Sequence, residues 1–235
     1  MKSANKSHQG FTLIELLIST ALLSLILFIA SYSYSLFSNN WQKELGNYKQ
    51  TAAFVKNVEL TKRTLQSTVP LVVTKPDTKK GLYFVGESNS ITAASEYGVF
   101  NNQGVIYRIS LEDALENSQI KQLVYREVNA NNIILSTPSQ GFQFTHRLVV
   151  VDNVVSVDFE YYGWATLNDK NVQMSGIGKA DKSWHKKYDS IATGLFPEIA
   201  RLKVRYRAAD NSEVSLTYHA NFASHPERGL EVPGL

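Results

Sequence analysis

Between Phe11 and Gln42 the only ionised side chain is Glu15, and this single charge in an otherwise apolar run constrains the chain more than any other feature. Phe11 to Ala30 supplies about the 20 residues a helix needs to cross a bilayer. An acid placed in hydrocarbon costs about 2.5–3.5 kcal/mol at a helix centre, so a retained one points to function. Lys2 and Lys6 precede the span with no acidic residue between them. By the positive-inside rule they keep the leader cytoplasmic and send the rest of the chain outward. A secretory signal would be cut after its apolar region at a small-x-small site, which Phe28-Ile29-Ala30 does not offer. A plain uncleaved anchor accounts for the apolar helix but leaves Glu15 without a role.

From Tyr32 the run becomes amphipathic. Phe37, Trp41, Leu45, Tyr48, Ala52 and Val55 recur at intervals of three and four, and Phe54, Val58, Thr61 and Leu65 continue the stripe slightly rotated. Pro70 and the β-branched run Val72-Val73-Thr74 end it. No proline interrupts Phe11 to Val69 and Gly46 is the one weak point, so the spacing predicts a continuous helix of about 80–90 Å at 1.5 Å per residue. The aromatic stripe is expected to pack against strands of its own sheet, or against a neighbour where the helix projects beyond that sheet.

After Pro70 the period changes to two. Residues 81–86, 105–109 and 122–126 read as strands between Gly, Asn, Asp and Ser clusters. Val155, Val157, Phe159 and Tyr161 alternate with Ser156, Asp158 and Glu160, the pattern of a half-buried antiparallel strand. Leu202, Val204 and Tyr206 interleave with Arg201, Lys203, Arg205 and Arg207. After a turn at 208–212, Val214, Leu216, Tyr218, Ala220 and Phe222 alternate back. This predicts a terminal hairpin whose apolar face lies on the helix, and an α+β fold with one long N-terminal helix packed on antiparallel sheet.

Composition narrows the function classes. The formal charge is +3, and removing Lys2 and Lys6 with a leader would lower it to +1. That is not a nucleic-acid binder's balance. There are no cysteines, so disulfides, thiolate metal sites and thiol nucleophiles are excluded. His8, His146, His185, His219 and His225 lack metal-site spacing. Gly176-Ile177-Gly178-Lys179 falls short of a phosphate loop, because Gln173 and Ala180 stand where glycine and Ser or Thr are required, and it reads as a flexible loop. Asn168, Asp169, Asp181 and Asp189, in the polar stretch 166–194, could offer oxygens to calcium, but at no standard loop spacing. Period two puts Arg201, Lys203, Arg205 and Arg207 on one sheet face. Without interleaved exposed aromatics that row is expected to be a solvated face paired to Asp158, Glu160 or Glu213. The chain is expected to be neither an enzyme nor a cofactor or metal protein.

The string Gly10-Phe11-Thr12-Leu13-Ile14-Glu15-Leu16-Leu17, behind a short basic leader, resembles the prepilin signal of the type IV pilin superfamily. The resemblance implies cleavage between Gly10 and Phe11 by a prepilin peptidase, N-methylation of Phe11, and a pilin-like fold. It implies that Glu15 binds the cationic terminus of a neighbouring subunit, an attraction that a low-dielectric bundle strengthens. Val154 to Gly163, then Trp164, Trp184 and Phe196-Pro197-Glu198-Ile199-Ala200-Arg201-Leu202, are similar to the general secretion pathway protein J family of minor pseudopilins. That likeness implies a subunit that helps initiate and cap the type II secretion pseudopilus beside I-like and K-like partners and major pseudopilins. The tip subunit of K type is expected to lack the acid at Glu15. The expected organisation is a leader at 1–10, a transmembrane and assembly helix at 11–31, and a periplasmic head at 32–235 on the inner membrane. A minor pilin of a type IV pilus, with priming, adhesion or DNA-uptake duties, is the alternative. A membrane-anchored periplasmic enzyme or ligand binder is the third.

Overall fold

The computed structural model describes residues 12–74, 80–130, 141–176, 178–208 and 210–222, so Gly10 and Phe11 lie outside the described residues. Helix α1 runs Leu13–Gln66 without interruption, 54 residues rich in Leu and free of proline. It stops short of Val69, the end expected from the position of Pro70. The Ser67 and Thr68 hydroxyls donate to the Arg63 and Leu65 carbonyls. Thr68–Val69 then leaves as strand β1 and pairs with Ser95 and Ala94. β-branched residues paired across a sheet and side-chain bonds to the last helical carbonyls end the helix before the proline does.

The chain divides into two compact units, residues 1–53 and 54–235. In the first, Phe37, Trp41, Leu45 and Tyr48 are exposed, with Phe37 and Trp41 stacked on each other at 6.0 Å. Helical period marks a face, not what covers it; within the second unit the rotated set at Phe54, Val58, Thr61 and Leu65 meets the core.

The second unit is a pair of antiparallel sheets. Strands β2 (Leu71–Thr74), β3 (Lys80–Gly86), β4 (Ser90–Ser95), β5 (Val105–Asp113), β6 (Lys121–Asn129) and β7 (His146–Val151) precede β8 (Val154–Gly163) and helix α2 (Leu167–Ser175). Then come β9 (Ser183–His185), β10 (Tyr188–Asp189), the short α3 (Ser190–Thr193), β11 (Ile199–Arg207) and β12 (Glu213–Asn221). The larger sheet has the order β10-β3-β4-β5-β6-β7, with β1 on β4 and β2 on β3, and the smaller is β12-β11-β8-β9. Phe84 of β3 joins them, its ring edge-on to Tyr161 at 5.5 Å, Phe196 at 5.1 Å and Phe222 at 5.7 Å.

The terminal hairpin forms as expected, and its register sets Leu202 opposite Tyr218 and Val204 opposite Leu216. Its apolar face does lie on the helix. Phe54 meets Tyr206 at 5.5 Å between ring centroids, and Lys62 Nζ sits 5.2 Å from the centre of the Tyr218 ring. Asn57 Nδ2 donates to the Val149 carbonyl of β7 at 3.1 Å. One helical segment thus touches both sheets.

The polar stretch after Trp164 is more ordered than the sequence suggested. Thr166 caps α2 by accepting from Asp169 N, and Gly176 closes it in the left-handed conformation at φ 68°. Gly176 is thus a helix C-cap, not part of a free loop.

Candidate processing and assembly site

Thr12 is the first described residue and Glu15 the first acid of α1. The Thr12 backbone N–H and hydroxyl both donate to Glu15 Oε2, at 3.0 and 2.9 Å, and the Glu15 N–H reaches back to Thr12 Oγ1 at 3.4 Å. This reciprocal arrangement is a capping box, Thr-x-x-Glu, whose signal was present in the sequence at Thr12-Leu13-Ile14-Glu15. The carboxylate also lies where the helix macrodipole favours negative charge. Glu15 therefore has a local task at the helix start, and among the described residues its exposed second oxygen takes no hydrogen bond.

The remaining candidates fall where simple chemistry puts them. Glu160 takes the Arg201 guanidinium and, at 3.0 Å, Lys203 Nζ, while Arg205 Nε donates to Ser156 Oγ at 2.9 Å. Of the expected acids, Glu160 thus takes two cations of the row, and Arg205 has the Ser156 hydroxyl instead. The assumption that no aromatic interleaves with it is corrected: Trp184 of β9 stands beside it, packed on Tyr162 at 5.3 Å. Arg201 covers the indole face, 4.0 Å from the ring centre, so the row and the ring are each other's partners.

Among the described residues no group of three or more His, Asp and Glu is arranged to hold a metal. Asp169 accepts from the Thr166 hydroxyl, and Asp189 Oδ1 caps α3 by accepting from Ile191 N and Ala192 N. Both carboxylates, considered for calcium, are engaged in holding helix starts. His146 stacks on Phe100 at 4.9 Å.

One group that sequence reasoning missed is Glu127, fully buried on β6. Its carboxylate accepts from Val99 N (2.7 Å), Phe100 N (3.1 Å), Asn101 Nδ2 (2.6 Å) and the Tyr125 hydroxyl (2.6 Å). Four donors satisfy a buried carboxylate and fix the loop between β4 and β5. Gly98 is required beside it, since a Cβ there would fall 2.4 Å from Glu127 Oε2. Burial and the adjacent carboxylate push the Tyr125 phenol far above its ordinary range, so it stays a donor.

With this geometry established, comparison with known families bears on the N terminus alone. Residues 5–31 match the prokaryotic N-terminal methylation motif, a span that takes in Gly10, Phe11 and Glu15. The chain carries a type IV pilin-like prepilin signal. No curated protein sequence matches it. The signal leads into an apolar helix long enough to cross a membrane, and the two together fit a membrane-anchored protein.

Proposed function

We propose that this protein is a minor pseudopilin of the type II secretion system, an assembly subunit without catalytic activity that helps initiate and cap the periplasmic pseudopilus. The observation that carries the reading is the prepilin signal with Glu15 as the only ionised side chain from Phe11 to Gln42, ahead of an α+β head. In this reading prepilin peptidase cuts between Gly10 and Phe11, the helix sits in the inner membrane, and the head docks in the periplasm with major, I-like and K-like pseudopilins. The same signal and fold would serve a minor pilin of a type IV pilus, and a neighbouring secretin and pseudopilin genes, against pilus and retraction-motor genes, separate the two.

The capping box makes a sharp test possible. Glu15→Gln preserves a side-chain acceptor at the third helical position and removes the charge, whereas Glu15→Ala removes both. If the charge binds a neighbour's terminal amine, both variants are processed and fold normally, yet both lose co-purification of the adjacent subunit and secretion. If Glu15 acts only as a cap, Glu15→Gln behaves as the parent. Mass spectrometry of the parent should find methylated Phe11 at the mature terminus. Normal secretion after clean deletion of the gene would reject the role.

A further inference from the structure

Sheet edges are where a chain can be joined by another, because they carry unpaired N–H and C=O groups. Most edges here are short or covered. Strands β9 and β10 have three and two residues, β2 has four, and the edge of β7 is met by the Asn57 side chain. Strand β12 is different: it runs nine residues at the end of the smaller sheet, without proline, lysine, arginine or a bulge. Among the described residues nothing pairs with its outer side.

Two bonds at the ends of the hairpin fix which groups face outward. Ala208 N donates to Ser212 O, and Phe222 N donates to Glu198 O. In this register Arg207 lies opposite Glu213 and Ile199 opposite Asn221, so it is the even-numbered pairs that exchange bonds across the hairpin. The N–H and C=O groups of Ser215, Thr217 and His219 therefore point to the free edge. On the inner face of the same strand Val214, Leu216 and Tyr218 are only half-buried, whereas Leu202 and Val204 on β11 are buried. Leu216 and Tyr218 also line an apolar cleft of about 250 Å³, walled by Val58 and Leu65 of α1 and by Leu202. Among the described residues the buried Tyr218 hydroxyl has no hydrogen-bond partner.

We infer that β12 is a strand-addition site, which receives an extended segment of a different protein by main-chain pairing with Ser215, Thr217 and His219 while an aliphatic side chain of that segment enters the cleft beside Leu216 and Tyr218. Main-chain bonds supply affinity in this mode, and pockets for alternate side chains supply specificity. The cleft requires apolar residues at alternate positions of the incoming segment. A second copy of the same chain is a poor occupant: antiparallel edge pairing relates two copies by a two-fold axis normal to the sheet, so their Phe54–Gln66 segments would run in opposite directions, whereas copies anchored through the same apolar helix start from one membrane face. The inference rests on the assembly reading only for the partner's being an assembly component.

A photo-crosslinking amino acid in place of His219, in the full-length chain in its host membrane, tests the site. The expected result is an adduct that maps to one segment of one other protein, with apolar residues alternating along it. The same residue in place of Ser183 on β9 should give no adduct to that segment. Thr217→Pro removes one outward N–H and none of the bonds to β11, so it should lower the His219 adduct at least about 10-fold with an unchanged melting temperature. Ser215→Pro serves the same purpose should Thr217→Pro fail to fold. No adduct, an adduct to residues 223–235 of the same chain, or one to β12 of a second copy would each overturn the inference. Crosslinking reads out whether or not secretion depends on the protein. Normal secretion after gene deletion would sink the secretion role alone, and an undiminished adduct in folded Thr217→Pro would sink the edge alone.

Discussion

Glu127 shows how one side chain can hold a loop that has no regular structure of its own. Removing it as Glu127→Ala leaves two backbone N–H groups, an amide and a phenol without their acceptor inside the protein, each an uncompensated desolvation. Loss of the buried carboxylate should lower unfolding stability by about 3–5 kcal/mol, measured by urea denaturation. Glu112 offers a milder, titratable case. The Arg126 guanidinium donates to it at 2.9 Å through both Nε and Nη2, and these bonds hold its carboxyl below the usual carboxylate range despite partial burial. A carboxylate with a lowered folded pKa stabilises the protein above its unfolded pKa, about 4.3, and that contribution fades as pH falls through the folded value. Solvent screening keeps the contribution to about 1 kcal/mol or less. Denaturation between pH 6 and pH 3 should therefore show an acid-side loss in the parent that is reduced in Glu112→Gln. None of the Glu127 contacts could be read from the sequence, because two of its donors are main-chain groups nearly thirty residues away, and backbone groups carry no sequence signature. The Glu15 box could have been read, since Thr-x-x-Glu stands at the head of an apolar helix.

At the level of elements, legibility follows how one-sided the burial is. β8, β11 and β12 have one wet and one dry face, and their alternation was plain. β4 was missed because Ile91 to Ser95 is buried on both faces and built of small residues, which leaves no alternation to find. The helix α2 was missed for the opposite reason: it buries no residue, so only its caps, Thr166 and Gly176, mark it. Packing between elements brings its own constraint at Gly86. A Cβ on this residue would lie 2.4 Å from the Tyr161 ring, and that ring cannot retreat because its hydroxyl donates to both the Glu87 and Ser90 carbonyls, at 2.9 and 3.0 Å. Gly86→Ala should destabilise the head by about 1–3 kcal/mol, the usual result of overpacking, seen as a lower urea midpoint with an unchanged slope. Tyr161→Phe removes the two bonds and frees the ring, so the double variant should lose less than the sum of the two single ones.

For the whole molecule, the long helix was legible in extent but not in what covers it. Phe37, Trp41 and Tyr48 of the first unit are exposed, while Phe54, Val58 and Leu65 of the second belong to its core. A chain beginning at Phe54 should therefore melt within a few degrees of one beginning at Tyr32, and should self-associate less, because a large exposed apolar stripe has been removed. A fall of more than about 10 °C on shortening would mean that the intervening turns stabilise the head after all. The segment from Phe54 to Gln66 also settles how the head would respond to being pushed or pulled along α1. Its contacts lie side by side, Asn57 on β7, Phe54 on Tyr206, Lys62 on Tyr218, and Leu65 in the core. An axial load is shared among them at once and must shear them together, whereas a sideways pull would peel them one after another. Forced unfolding is governed by the unfolding rate, so the head should withstand a thrust along its helix far longer than an equal force applied across it.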